Sequence, residues 1–95
     1  MRISKSQIEN LKSTIKMIHP QSKIYLFGSR TDDSKRGGDI DILILAKKKL
    51  NFIEKSKIKN SFFSEFGEQK IDLISFKYED KDVFKKIALH EAVEL

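Results

Sequence analysis

The segment from Asp39 to Ala46 constrains the fold of this chain more than any other, because it places two acids at the start of an apolar run. Beyond the acids the run is apolar at every position, as in an interior strand that is covered on both faces. Side chains alternate between the two faces of a strand, so Asp39 and Asp41 share one face, with their Cα atoms about 6.5–7 Å apart. Carboxylates at that separation can converge on a hard divalent cation, which prefers oxygen ligands. The segment therefore predicts a central strand with a metal site at its beginning.

A shorter apolar strand is predicted upstream, over Lys23 to Phe27, and it ends in Gly28-Ser29. Backbone N–H groups and a hydroxyl at such a turn can meet phosphate oxygens. Gly-Ser after a strand is common and is weak on its own, but here only nine residues separate it from Asp39. A phosphate-binding turn this close to a metal site predicts a nucleoside triphosphate site.

A third acid, Asp72, lies between two apolar residues in the predicted strand from Lys70 to Phe76. Acids inside apolar strands are costly unless they are paired or bound to metal. Taken alone, Asp72 fits a strand edge, and Asp39 fits a turn after two glycines. Three acids on two strands that could be neighbours favour a shared metal site formed by Asp39, Asp41 and Asp72.

Helical spacing of apolar residues predicts three helices around these strands. The first covers Ser4 to Ile18 and begins with a Ser-x-x-Gln capping box. The second begins at Asn51 and ends at Gly67. The third opens at Asp80 or Asp82, and the residues expected to face inward from it are Val83, Phe84, Ile87 and Val93.

The resulting fold class is α/β (α+β), with a small mixed sheet of about three strands flanked by helices. The order is α-β-(short α)-β-α-β-α, the short helix following Ser29. We expect one domain over residues 1–95, because a chain of this length builds a single modest core.

Composition narrows the class of protein. The chain has no cysteine, which excludes disulfides and thiolate metal sites, and its net charge is +5. It has no apolar stretch long enough for a secretion signal or a membrane span, so we expect a cytoplasmic protein that does not bind membranes. The lysines are spread along the chain without interleaved aromatic residues, a pattern that disfavours direct nucleic-acid binding.

Other nucleotide-binding signatures are absent: the chain has neither a P-loop motif nor a G-x-G-x-x-G motif. Two arginines, Arg30 and Arg36, flank the loop between the glycine turn and the acids. Either could contact phosphates, and a solvated surface arginine is an equally good reading of each.

These residues carry a family resemblance. Gly28-Ser29-Arg30, then Asp39-Ile40-Asp41, then Asp72 on a later strand resembles the minimal nucleotidyltransferases (MNT) of the DNA polymerase β superfamily. The resemblance extends over nearly the whole chain and is strongest to the small MNT antitoxins that are paired with HEPN-domain toxins. It implies a protein adenylyltransferase that moves AMP from ATP to a hydroxyl of a HEPN toxin.

The resemblance also implies roles for the site residues. Asp39 and Asp41 would bridge two Mg²⁺ ions, and Asp72 would complete one metal site and help to deprotonate the acceptor hydroxyl. The triphosphate of ATP would lie against Gly28 and Ser29, supported by Arg30 or Arg36. Larger superfamily members bind the acceptor with an extra domain, so here a partner or a second copy would supply that surface; the oligomeric state is left open.

Two other functions fit the same sequence. The chain could neutralise a toxin by complex formation alone, keeping the site only to bind nucleotide. It could instead modify a small molecule, although transferases of that type usually need a second domain.

Overall fold

The structure, a computed structural model, describes residues 3–28 and 39–95, and these ranges form three helices and four strands. In chain order the elements are α1 (Lys5–Ile18), β1 (Lys23–Phe27), β2 (Ile40–Ala46), α2 (Phe52–Phe66), β3 (Ile71–Lys77), α3 (Val83–Glu91) and β4 (Val93–Glu94). The mixed α/β class and the order of the helices and the first three strands are confirmed. The short helix expected after Ser29 lies outside the described residues.

Side-chain caps start the first two helices where the sequence predicts them. The Ser4 hydroxyl accepts from the backbone N–H of Gln7 at 3.1 Å, and the Gln7 side chain accepts from the Ser4 N–H at 2.9 Å. Asn51 and Glu54 form the same reciprocal pair at the start of α2. These caps satisfy backbone donors that the first turn leaves unpaired. No helix in the described ranges is long and apolar enough to cross a membrane.

The four strands form one sheet in the order β3–β2–β1–β4. β2 lies in its middle, parallel to β3 and antiparallel to β1. β4, which the sequence did not predict, pairs with the outer edge of β1, and the Leu95 N–H extends this pairing to the Ile24 carbonyl at 2.9 Å. The last residues of β1 therefore lie beside the first residues of β2 and β3. We refer to this end of the three strands as the acid-bearing edge of the sheet.

The larger core lies between one face of the sheet and the helices α1 and α2. The even-numbered residues of β2 contribute to it, and its members are Leu11, Ile15, Ile24, Leu26, Ile40, Ile42, Ile44, Leu50, Ile58, Phe62, Ile71 and Leu73. Burial of a side chain of this size stabilises a fold by about 1.5–3 kcal/mol. This core fixes the register of β2 against β3, because a slip of one residue would turn the buried residues outward.

The opposite face of the sheet is covered more thinly. Leu43, Leu45 and Phe76 pack there against Ala88 of α3. Because side chains alternate along a strand, Asp41 on β2 shares this face with Leu43. Asp41 and its neighbour Asp72 therefore lie on the face of the sheet that carries α3, opposite the face covered by α1 and α2.

The inward face predicted for α3 is wrong. Val83 and Ile87 are 70% and 59% exposed, Phe84 is also exposed, and Val93 lies in β4. The helix instead turns Lys85 and Ala88 toward the sheet. Apolar residues occur on more than one side of this short helix, so periodicity does not define a single inward face.

Three hydrogen bonds from Lys85 account for the orientation of α3. Its ammonium group donates to the carbonyls of Lys77, Tyr78 and Asp80 at 3.0, 2.7 and 2.9 Å. These carbonyls belong to the end of β3 and the turn after it, so the buried lysine fastens that turn to the helix. The Lys77 carbonyl also accepts the Asp80 N–H at 3.1 Å, so the bonds to Tyr78 and Asp80 matter most. Leaving a buried acceptor without its donor costs about 1–3 kcal/mol.

We predict that Lys85→Met destabilises the chain by about 1–3 kcal/mol, because the carbonyls lose their donor while the apolar stem is preserved. Urea unfolding followed by circular dichroism measures the change. Lys86→Met is the matched control, since Lys86 is exposed on the same helix. Equal unfolding midpoints for the two variants would contradict the role given to Lys85.

Candidate active site

Three residues stand side by side at one edge of the sheet. Asp41 of β2 is paired with Phe27 of β1 on one side and with Asp72 of β3 on the other. Direct neighbours in a sheet have Cβ atoms about 4.5–5.5 Å apart. The prediction that Asp41 and Asp72 lie on neighbouring strands is therefore correct, and the parallel register places them opposite each other.

The surroundings of Asp41 change its protonation equilibrium. The pKa of Asp41 is raised from its ordinary value of 3.8, first by burial and then by the negative charge of Asp72. A hydrogen bond with the Asp72 side chain and the charge of Asp39 raise it further. Burial and the neighbouring carboxylates therefore make the charged form of Asp41 less favourable than in an isolated aspartate.

Gly28 lies directly against the Asp41 carboxylate. A Cβ atom placed on Gly28 would lie 2.5 Å from Asp41 Oδ2, closer than two such atoms can approach. The backbone of Gly28 also has a φ of +82°, which residues other than glycine rarely adopt. The glycine predicted for phosphate contact is thus also needed to leave room for the acid.

Asp39 precedes β2 and lies near a cation. Its Oδ2 atom is 3.5 Å from Nζ of Lys70, with the two side chains 45% and 70% exposed. The Ile40 N–H donates to the Lys70 carbonyl at 3.0 Å, so the backbone keeps the beginnings of β2 and β3 together. The negative charge of Asp39 helps to raise the pKa of Asp41, and Asp39 itself forms an ion pair with Lys70.

Lys70 is the site residue that the sequence reasoning missed. The sequence pattern identifies Lys70 only as the first residue of the third predicted strand. The signal was nonetheless available: once Asp41 is aligned with Asp72 in a parallel pair, the residue two positions earlier on one strand lies beside its counterpart on the other. That alignment places Lys70 beside Asp39.

The donor chemistry fits a hard divalent cation. Asp41 and Asp72 supply oxygen ligands on adjacent strands, and a bound cation would stabilise their charged forms. In residues 3–28 and 39–95, however, no three histidine, cysteine, aspartate or glutamate side chains are arranged to hold a metal as they stand. Two of the three predicted ligands are thus adjacent, and Asp39 would have to turn to join them.

The other predicted phosphate contacts fall outside the part of the chain that the structure describes. These are Ser29, Arg30 and Arg36. Their proposed roles stay predictions.

An apolar cavity of about 270 Å³ lies elsewhere. It is lined by residues such as Pro20, Ser22 and Ala46, at the end of β2 and just before β1. Asp41 lies at the other end of β2, so this cavity is separate from the carboxylates.

We predict that Gly28→Ala weakens Mn²⁺ binding by at least about tenfold, because the new Cβ forces the Asp41 carboxylate to move. Gly67→Ala is a closely matched control. Its φ is +84°, but a Cβ there meets nothing within 4 Å. Both variants should lose about 1–3 kcal/mol of stability through backbone strain. Titration calorimetry that finds equal Mn²⁺ affinities in both would refute the contact with Asp41.

We also predict that Asp41→Asn raises the melting temperature by a few degrees at pH 7 in buffer without divalent cations. A carboxyl group whose pKa is raised on folding favours the folded state at low pH and loses that contribution as the pH rises through its folded-state pKa. The difference from the wild type should therefore vanish below the ordinary value near 3.8. Scanning calorimetry across this range provides the measurement, with the exposed Glu68→Gln as control. A variant less stable than the wild type at neutral pH would contradict the repulsion.

Comparison with known proteins identifies relatives of this fold and sequence. A family model described as Polymerase beta, Nucleotidyltransferase matches residues 9–95. No curated protein matches the chain.

Several solved structures of toxin–antitoxin systems are similar. One is a variant of the pair MntA–HpeT, with 25% identity and a TM-score of 0.62, covering 95% of this chain and 68% of that one. A toxin–antitoxin structure with AMP-PNP has 22% identity and a TM-score of 0.70, covering 97% and 72%. A tri-AMPylated Shewanella oneidensis HEPN toxin in complex with an MNT antitoxin gives 25% identity and a TM-score of 0.58, covering 93% and 70%.

The family match spans most of the chain, and the mixed α/β fold with a four-stranded sheet is consistent with it. The chain belongs to the polymerase β nucleotidyltransferase family.

Proposed function

We propose that this chain is a protein adenylyltransferase that moves AMP from ATP to a hydroxyl group of a HEPN-domain toxin and so acts as its antitoxin. The observation that carries the proposal is the pairing of Asp41 with Asp72 beside Gly28, within a family of nucleotidyltransferases. Similar folds occur in a structure with AMP-PNP and in one with an AMPylated HEPN toxin, which supports AMP as the transferred group and a HEPN protein as acceptor.

In the proposed reaction the acceptor oxygen attacks the α-phosphorus of ATP, the bond to the β-phosphate oxygen breaks, and pyrophosphate leaves. Asp41 and Asp72 would hold Mg²⁺, with Asp39 joining them. Bound Mg²⁺ would stabilise charge on the attacking and leaving oxygens. Asp72, the exposed member of the pair, would accept the proton of the acceptor hydroxyl. Gly28, with Ser29, would lie against the β- and γ-phosphates, with Arg30 or Arg36 supporting them.

The position of the acids supports a macromolecular acceptor. They lie on the thinly covered face of the sheet, beside α3. In the ranges that the structure describes, no further domain covers this face. An acceptor protein could therefore approach Asp72 directly, and its own surface would complete the site.

The experiment determines which phosphate of ATP is transferred to protein. Lysate of the native host receives the purified chain, Mg²⁺ and ATP labelled on either the α- or the γ-phosphate. We expect one protein to be labelled from α-labelled ATP only, and labelling to fall at least about a hundredfold with Asp41→Asn or Asp72→Asn. Glu68→Gln is the control and should label normally. Labelling from the γ-phosphate alone would mean phosphoryl transfer and would refute the proposal.

A second candidate function is neutralisation by complex formation without catalysis. The observation that favours it is that Asp39 forms an ion pair with Lys70 and that no three acids of the described residues are arranged to hold a metal as they stand. Expression of the toxin with Asp41→Asn separates the two functions. Survival of the host would favour complex formation, and growth arrest would favour catalysis.

A further inference from the structure

Lys70 occupies an unusual position for a surface lysine. Its ammonium group lies 3.5 Å from Asp39, at the edge of the sheet that also holds the adjacent pair Asp41 and Asp72. Its backbone carbonyl accepts the N–H of Ile40, the residue between Asp39 and Asp41. The lysine is therefore fixed by its main chain beside the acids, while its side chain is 70% exposed.

The charge of Lys70 acts on more than Asp39. Asp41 and Asp72 lie opposite each other at the same end of β2 and β3, two residues further along the strands than the Asp39–Lys70 pair, so the ammonium charge is close to the whole acid cluster. An ion pair this exposed adds little to stability. Stabilisation of the fold therefore does not explain why Lys70 lies beside Asp39, whereas its positive charge changes how strongly the acids attract a cation.

A divalent cation and the Lys70 ammonium compete for the same carboxylate. Asp39 has to leave Lys70 to join Asp41 and Asp72 around a metal, and the approaching metal also meets the positive charge of the lysine. A triphosphate entering with the metal changes this balance, because its oxygens offer the released ammonium a new anionic partner.

We propose that Lys70 is a built-in counter-ion of the acid cluster, which weakens binding of a metal alone and makes metal and nucleotide bind together. The inference rests on the proposed function, since it assumes that Asp39, Asp41 and Asp72 hold the metal. It goes further by assigning Lys70 the coupling between the two ligands. Coupling of this kind is reciprocal: each ligand strengthens binding of the other by the same factor.

The test measures Mn²⁺ affinity by titration calorimetry, with and without saturating AMP-PNP. In the absence of nucleotide, Lys70→Gln should bind Mn²⁺ about three- to tenfold more tightly than the wild type, because one nearby positive charge is gone. With AMP-PNP present, this advantage should disappear or reverse. Lys70→Arg keeps the charge and should match the wild type within about twofold.

Two controls separate the ion pair from a general effect of charge. Lys48→Gln makes the same change in net charge on an exposed lysine after the far end of β2 and should bind as the wild type does. In an Asp39→Asn background, Lys70→Gln should gain less than half as much affinity as in the wild type. An undiminished gain there would overturn the role of the pair.

Failure of the counter-ion role and failure of the proposed transferase give different results in this experiment. If the wild type binds Mn²⁺ and Lys70→Gln binds it equally or more weakly, the counter-ion role is wrong and the proposed transferase is untouched. If neither the wild type nor any variant binds Mn²⁺ with AMP-PNP present, the metal site itself is wrong and both proposals fall. Tighter binding that persists unchanged with AMP-PNP would overturn the coupling.

Discussion

The contact between the carboxyl groups of Asp41 and Asp72 is the constraint on which the rest of this structure depends. Two acids that repel each other are held together because the apolar residues beside them are buried in register, with Ile40 opposite Ile71 and Ile42 opposite Leu73. A shift of β3 by one residue would bury Asp72 and expose its apolar neighbours. The core under α1 and α2 therefore determines the chemistry on the opposite face of the sheet, although it does not touch the acids.

Most of the fold follows from local patterns in the sequence. Reciprocal caps start α1 and α2, and short segments rich in apolar residues define β1, β2 and β3. β4 and the orientation of α3 do not follow, because they depend on distant contacts. β4 is only two residues long and exists through its pairing with the edge of β1. The rotation of α3 is determined by hydrogen bonds from Lys85 to a turn, an interaction that hydrophobic periodicity cannot reveal.

The candidate site shows the same division. The pairing of Asp41 with Asp72 could be anticipated, because an acid inside an apolar strand requires a partner and neighbouring strands provide one. The tight approach of Gly28 to Asp41 could not, since the sequence suggests only a phosphate turn at that position. The pairing of Asp39 with Lys70 depends on the register of β2 and β3, so it emerges only after the sheet has been aligned.

The direction of the strands in this mixed sheet affects the electrostatic potential around the acids. Ligands of open parallel sheets usually bind beyond the carboxyl ends of the strands, where helices begin. Here the parallel strands β2 and β3 present their acids at their amino ends, whereas α2 and α3 begin beyond the opposite ends of those strands. The helices therefore finish near the acids and direct the negative ends of their dipoles toward this edge. These dipoles add to the negative potential of Asp39, Asp41 and Asp72, so they favour cations at this edge and disfavour anions that carry no cation with them.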